Sequence, residues 1–155
     1  MKTIIYKILI LLLIVQFAAC DSSRVYENYY HADASGWHKD SIATFAFNIS
    51  DTTQYYKLIL STRNLEQYSY SNLWVFIDIV APDSTVFNDT VEFQLAMPNG
   101  KWIGKGSGGV YLCEFDYRSN VFFPLKGEYK IHVQQAMRED RLSNLRDFGL
   151  RIEKN

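Results

Sequence analysis

The chain has 155 residues with 16 basic and 17 acidic side chains, and it is rich in rings, with 11 Tyr, 10 Phe and 3 Trp. So balanced a charge, without a basic stripe, leaves no electrostatic footprint for nucleic acid and excludes that partner class. With only three prolines and no low-complexity tract, an extended disordered chain is excluded as well.

The first element is a leader. Lys2 and Lys7 form a short basic head, and an apolar run from Ile8 to Phe17 is broken only by Gln16. That run is shorter than the roughly 20 residues a spanning helix needs, and it has the length of the apolar core of a secretory signal peptide. Phe17-Ala18-Ala19-Cys20 then resembles the bacterial lipobox, with Phe where Leu is more usual. On this reading residues 1–19 are removed, and Cys20 is lipidated and becomes the first mature residue. Several acyl chains on one cysteine hold a protein to a membrane stably, where a single chain does so marginally. The mature 136 residues carry 14 basic and 17 acidic groups, and they suit one domain with one core.

After a short tether or edge strand over 20–35, the pattern has period two, the strand period. Phe45, Phe47 and Ile49 share one face, then Tyr56, Leu58 and Leu60 share another. Leu73 to Val80 is almost continuously apolar, as a central strand buried on both faces would be. Val91, Phe93 and Leu95 alternate with Glu92 and Gln94, and Tyr111, Cys113 and Phe115 fall on one side of their segment. Tyr129, Ile131 and Val133 alternate with Lys130 and His132, and Phe148 to Glu153 supplies a last strand. Pro82-Asp83, Pro98-Asn99-Gly100, Gly104 to Gly109 and Pro124 to Gly127 punctuate these runs. Seven or eight strands so spaced predict an all-β, single antiparallel β-sandwich over 36–155, with jelly-roll and immunoglobulin-like connectivity both open. The one helical stretch to consider, 134–145, reads as a turn or two between the last strands.

Few residues carry chemistry. Gly104-Lys105-Gly106 lacks the Ser or Thr and the following helix of a phosphate loop, and reads as a hairpin connection. His31, His38 and His132 lack metal-ligand spacing, so no metal and no cofactor is expected. Glu114 and Asp116 point the same way along one strand, which suits an acid/base pair in principle and a solvated face in practice. No nucleophile elbow is present. With Cys20 acylated, Cys113 has no disulfide partner and reads as a buried small hydrophobe. The stretch from Tyr68 through Tyr70 to Trp74 stands apart. Its rings either contact a partner or a sugar, or close over the open end of the sandwich. Trp37 and Trp102 carry the same two readings. The run Arg138-Glu139-Asp140-Arg141, with Arg146, Asp147 and Arg151, suits a structural corner in which an Arg–Asp pair fixes the last strand.

Taken together, Gly36-Trp37-His38-Lys39-Asp40-Ser41, Pro98-Asn99-Gly100-Lys101-Trp102, Gln134-Gln135-Ala136-Met137-Arg138 and Gly149-Leu150-Arg151-Ile152-Glu153-Lys154 resemble the gliding motility-associated lipoprotein GldH family. The resemblance runs from the lipobox to the C-terminus. It implies an envelope lipoprotein that supports gliding and the associated secretion machinery, and it carries no catalytic residues over. The expected partners are the membrane, through the lipid, and envelope proteins of that apparatus. A carbohydrate-binding lipoprotein is the alternative. No acidic run follows Cys20, which favours a periplasmic face over the outer surface. Four Asp-Ser/Thr patterns, at Ser41, Thr52, Ser84 and Thr90, look like the O-glycosylation signal of such bacteria, although Asp-Ser and Asp-Thr are also ordinary turn residues.

Overall fold

The computed structural model describes residues 23–155, and these form eleven strands without a helix. In chain order they are β1 (Arg24–His31), β2 (Trp37–His38), β3 (Ala43–Ile49), β4 (Tyr55–Leu65), β5 (Asn72–Val80) and β6 (Val86–Gln94). There follow β7 (Lys105–Ser107), β8 (Val110–Phe122), β9 (Gly127–Gln135), β10 (Arg141–Leu142) and β11 (Leu145–Lys154). One sheet has the order β1-β11-β4-β8-β7, the facing sheet has the order β3-β9-β5-β6, and β2 pairs with β10 at the side. Setting the short β2, β7 and β10 aside, eight long strands remain. Taken in sequence they lie first-eighth-third-sixth in one sheet and second-seventh-fourth-fifth in the other. That interleaving is jelly-roll order, which resolves the connectivity that periodicity left open.

Alternation builds the core. Phe45, Phe47 and Ile49 of β3, Leu73, Val75 and Ile77 of β5, and Tyr129, Ile131 and Val133 of β9 all point inward. They meet Tyr56, Leu58 and Leu60 of β4 with Phe148, Leu150 and Ile152 of β11. Rings knit the centre: Phe148 lies 5.5 Å from Trp37 and 6.3 Å from Phe93, and Phe47 stacks on Tyr129 at 5.9 Å. Tilted ring pairs at these separations add to simple area burial. Residues 134–145 contain no helix; they hold the end of β9, a turn and β10.

β5 departs from expectation. It is central in its sheet, but only one face is buried, since Trp74 and Phe76 stand 39% and 50% exposed on the other. The strand covered on both sides is β4, where Leu58 to Thr62 are all buried. The outer face of β4 is roofed by long side chains of its neighbours. Tyr29 of β1 leans over Gly149, with Arg63 above its ring at 5.5 Å. A Cβ at Gly149 would stand 2.4 Å from Ser61 Oγ and 2.7 Å from the Tyr29 ring, so this close approach requires glycine.

The registers define two ends. At the proximal end lie the start of β1 (Arg24 opposite Glu153), the end of β11 (Lys154 opposite Tyr56) and the end of β8 (Phe122 opposite Tyr55). The Gly127 end of β9, opposite Ile49, and the hairpin 81–85 join them, with Pro82 packed beside Gly127. The distal end holds the loops 66–71, 95–104 and 136–144.

Candidate functional site

The aromatic stretch singled out in the sequence divides between core and surface. Tyr68 is 5% exposed; its ring meets Tyr70 at 5.8 Å and Trp102 at 6.4 Å, and its hydroxyl donates to the Asn72 carbonyl at 3.2 Å. Burial pushes the Tyr68 phenol well above its ordinary pKa. With Tyr111 beside Trp102 at 5.9 Å, these rings close the distal end. Tyr70 is half-buried and its hydroxyl donates to Glu139 at 2.9 Å. Trp74 alone of the three presents its ring outward, on the flat outer face of β5. There it is joined by Phe76, two residues on and about 7 Å along the strand. Gln134, Thr90 and Glu92 sit opposite these rings on the flanking strands. Trp37 is core, with its indole N–H donating to the Ser41 carbonyl at 2.8 Å.

A second apolar feature escaped the sequence reading. Where β6 and β8 part near the proximal end, a groove of about 550 Å³ opens between the sheets. Ile79, Phe87, Phe123, Leu125 and Tyr129 line it. Its rim is polar: Asp89 accepts from the Tyr117 hydroxyl at 2.9 Å and from Arg118 Nη2 at 2.7 Å, which ties one sheet to the other. Partial burial works to raise the Asp89 pKa, but these bonds and that from the Thr90 N–H outweigh it and hold the carboxyl below its ordinary value. The signal in the sequence was Val121-Phe122-Phe123-Pro124-Leu125, where apolar residues run on past the alternation.

The remaining chemical candidates scatter. Glu114 pairs with Arg151 at 2.8 Å and Asp116 with Lys57 at 2.8 Å, both on the open outer face. Cys113 is buried beside Gly104, and burial pushes its thiol up, away from the thiolate. Gly108 and Gly109, at φ 64° and 78°, make the hairpin between β7 and β8, a turn that suits glycine at both central positions. Among the described residues, no three His, Cys, Asp or Glu side chains gather as a metal would need. His31 and Arg63 both contact the buried Asp147 carboxylate, Arg63 at 2.8 Å, and so join β1, β11 and β4. The arginine that Asp147 meets is thus Arg63 of β4, outside the 138–151 run in which the Arg–Asp pair was expected. Of the four glycosylation-like positions, Ser84 and Thr90 are exposed and Ser41 and Thr52 half-buried. The leader and Cys20 lie outside the described residues.

The family model of the GldH lipoproteins matches residues 24–152, which is the whole jelly roll from β1 into β11. The chain belongs to the GldH lipoprotein family. It is 39% identical to the gliding motility lipoprotein GldH homolog of Christiangramia forsetii, over 92% of this chain and 91% of that one. It is 36% identical to the gliding motility lipoprotein GldH of Flavobacterium johnsoniae, over 94% of each. Among solved structures, a carbohydrate-binding module of family 28, specific for non-crystalline cellulose, covers 88% of this chain and 75% of its own at a TM-score of 0.43 and 8% identity. That likeness is too loose to bear on function. Membership in the GldH family makes the chain a membrane-anchored envelope lipoprotein of the gliding-motility class.

Proposed function

We propose that this GldH family member is a non-enzymatic accessory protein, anchored through Cys20 and facing the periplasm, that binds another envelope component of the gliding and secretion apparatus. The observation that carries this reading is the outer face of β5. Trp74 and Phe76 stand exposed side by side on a central strand, where a sheet with no partner would carry polar residues. Exposed rings on a rigid sheet are the residues that dominate protein contacts. The pairing of Glu114 and Asp116 with cations on an open face supports a role without chemistry.

The test is cross-linking in living cells followed by purification of the tagged lipoprotein and identification of what accompanies it. Gliding or secretion components should be recovered, and lost when Trp74→Ala and Phe76→Ala are combined, while the protein stays folded and abundant. Tyr68→Ala is the contrasting variant. It should cost about 3–5 kcal/mol in urea unfolding because it empties the distal core, so its effect on partners reports stability. Recovery of the same components with the Trp74/Phe76 double variant would refute the β5 face as the contact. Capture of envelope glycan in their place would favour a carbohydrate-binding lipoprotein.

A further inference from the structure

Ten large apolar side chains are exposed among the described residues, and five of them, Val25, Tyr55, Val86, Phe87 and Phe122, gather at the proximal end. Tyr55 and Phe122 pair at 5.9 Å on the outer face of one sheet. Val86 opens β6 at the edge of the other, and Phe87, 64% exposed, stands at the mouth of the groove. The same end receives the chain from its anchor. The Ser23 carbonyl accepts from the Lys154 N–H at 2.8 Å, so Ser23 is tied to the end of β11. Only Asp21 and Ser22 separate it from Cys20. Three Cα-to-Cα links extend at most about 11 Å, so Ser23 cannot stand farther than that from the lipidated residue. Tyr55 and Phe122 sit two and three strands across from Ser23, about 10–14 Å away at ordinary strand spacing.

We infer that the proximal end of the sandwich is seated in the headgroup layer of the bilayer that holds the anchor, with Tyr55, Phe87 and Phe122 entering it. This rests on acylation of Cys20 but not on the proposed partner. A tether of this length brings the end to the interface whatever else the protein does. Tyr55 has the amphipathic ring that favours that layer, and Phe87 and Phe122 add apolar surface to bury at the acyl boundary. The fit is apolar, not electrostatic. Lys57 pairs with Asp116, Arg118 with Asp89 and Lys130 with Glu128, so much of the basic charge near this end is already matched. Trp74 and Phe76 lie on a lateral face, which leaves them open to a partner while the end is occupied.

The experiment uses the mature lipoprotein purified from membranes and returned to vesicles of phosphatidylethanolamine and phosphatidylglycerol containing a nitroxide-labelled lipid. An environment-sensitive fluorophore is placed at Phe87→Cys, Phe122→Cys, Phe76→Cys or Ile103→Cys, one at a time. Cys113 is buried and leaves the native protein without a second reactive thiol once Cys20 is acylated. Labels at 87 and 122 should be quenched several-fold more than those at 76 and 103, with little change on raising salt to about 0.5 M, where surface attraction is screened. Combining Tyr55→Asp and Phe87→Asp, both at exposed positions, should bring quenching at 122 down to the level seen at 103. Equal quenching at the four sites, or an unchanged signal in the double Asp variant, would overturn the inference. The intact mass separates the two failures. A mature chain without acyl groups refutes the anchor and this seating together, whereas an acylated chain without proximal quenching refutes the seating alone.

Discussion

Asp89 shows how much one side chain can link. It is on β6, yet its hydroxyl and guanidinium donors, Tyr117 and Arg118, are on β8 in the other sheet. The carboxyl is held below its ordinary pKa, so its contribution is fully present above the unfolded value, near 3.9, and is lost as pH falls through the lower folded value. Asp89→Asn should therefore cost about 1 kcal/mol at pH 7, a modest sum because the pair is partly exposed. The gap between wild type and variant should narrow only below about pH 4. Urea unfolding across that range reads both, and a gap that closes between pH 7 and pH 5 would refute the assignment. In the sequence, Asp89 stood only as the first residue of an Asp-Thr pattern. Its partners are 28 and 29 positions away, and no local pattern couples them. Trp74 was legible in part. Leu73, Val75 and Ile77 face the core, so period two puts Trp74 on the opposite face, but an apolar run read as buried on both faces left its exposure undecided. That parity does not extend back to Tyr68, because residues 66–71 are loop and turn.

At the level of strands, period two located seven of the eight long elements, and the turn residues separated them. β1, read as a tether or edge strand before a sandwich beginning at 36, is instead paired along its length with β11. Period two misread β5, because an apolar run is equally consistent with burial on both faces and with an exposed apolar face. It also gave no hint that β4 is the strand covered on both sides. That covering comes from the Tyr29 ring of β1, which lies over Gly149 and Ser61, and from Arg151 of β11, which pairs with Glu114 of β8 on the far side of β4. Gly149→Ala should cost about 1–3 kcal/mol, the usual range for forcing a methyl into a filled space, and urea unfolding would measure it. A loss below about 0.5 kcal/mol, the level of an inert surface change, would mean that the Tyr29 ring moves aside freely. The groove was the least legible element. Its walls come from β6 and from the far end of β8, and only the tertiary parting of the sheets creates it.

For the whole molecule, the division into two ends sorts the glycosylation-like positions. Ser84 is at the tip of the proximal hairpin 81–85 and Thr52 is in the loop before β4, both on the end assigned to the bilayer. Ser41 lies near the distal start of β3, and Thr90 is on the outer face opposite Phe76. If glycan is attached at all, it is expected at Ser41 or Thr90 and not at Ser84 or Thr52. Peptide mapping of protein from native membranes would show this, and glycan on Ser84 would count against the seating of that end. The pairing of Arg24 with Glu153 joins segments 129 positions apart. β11 lies between β1 and β4, so the sheet cannot be completed until residues 145–154 have been exported. Contacts so distant along the chain close slowly. For a time, then, the anchored chain is an open, unpaired edge held at a crowded membrane surface, where other chains can add to it.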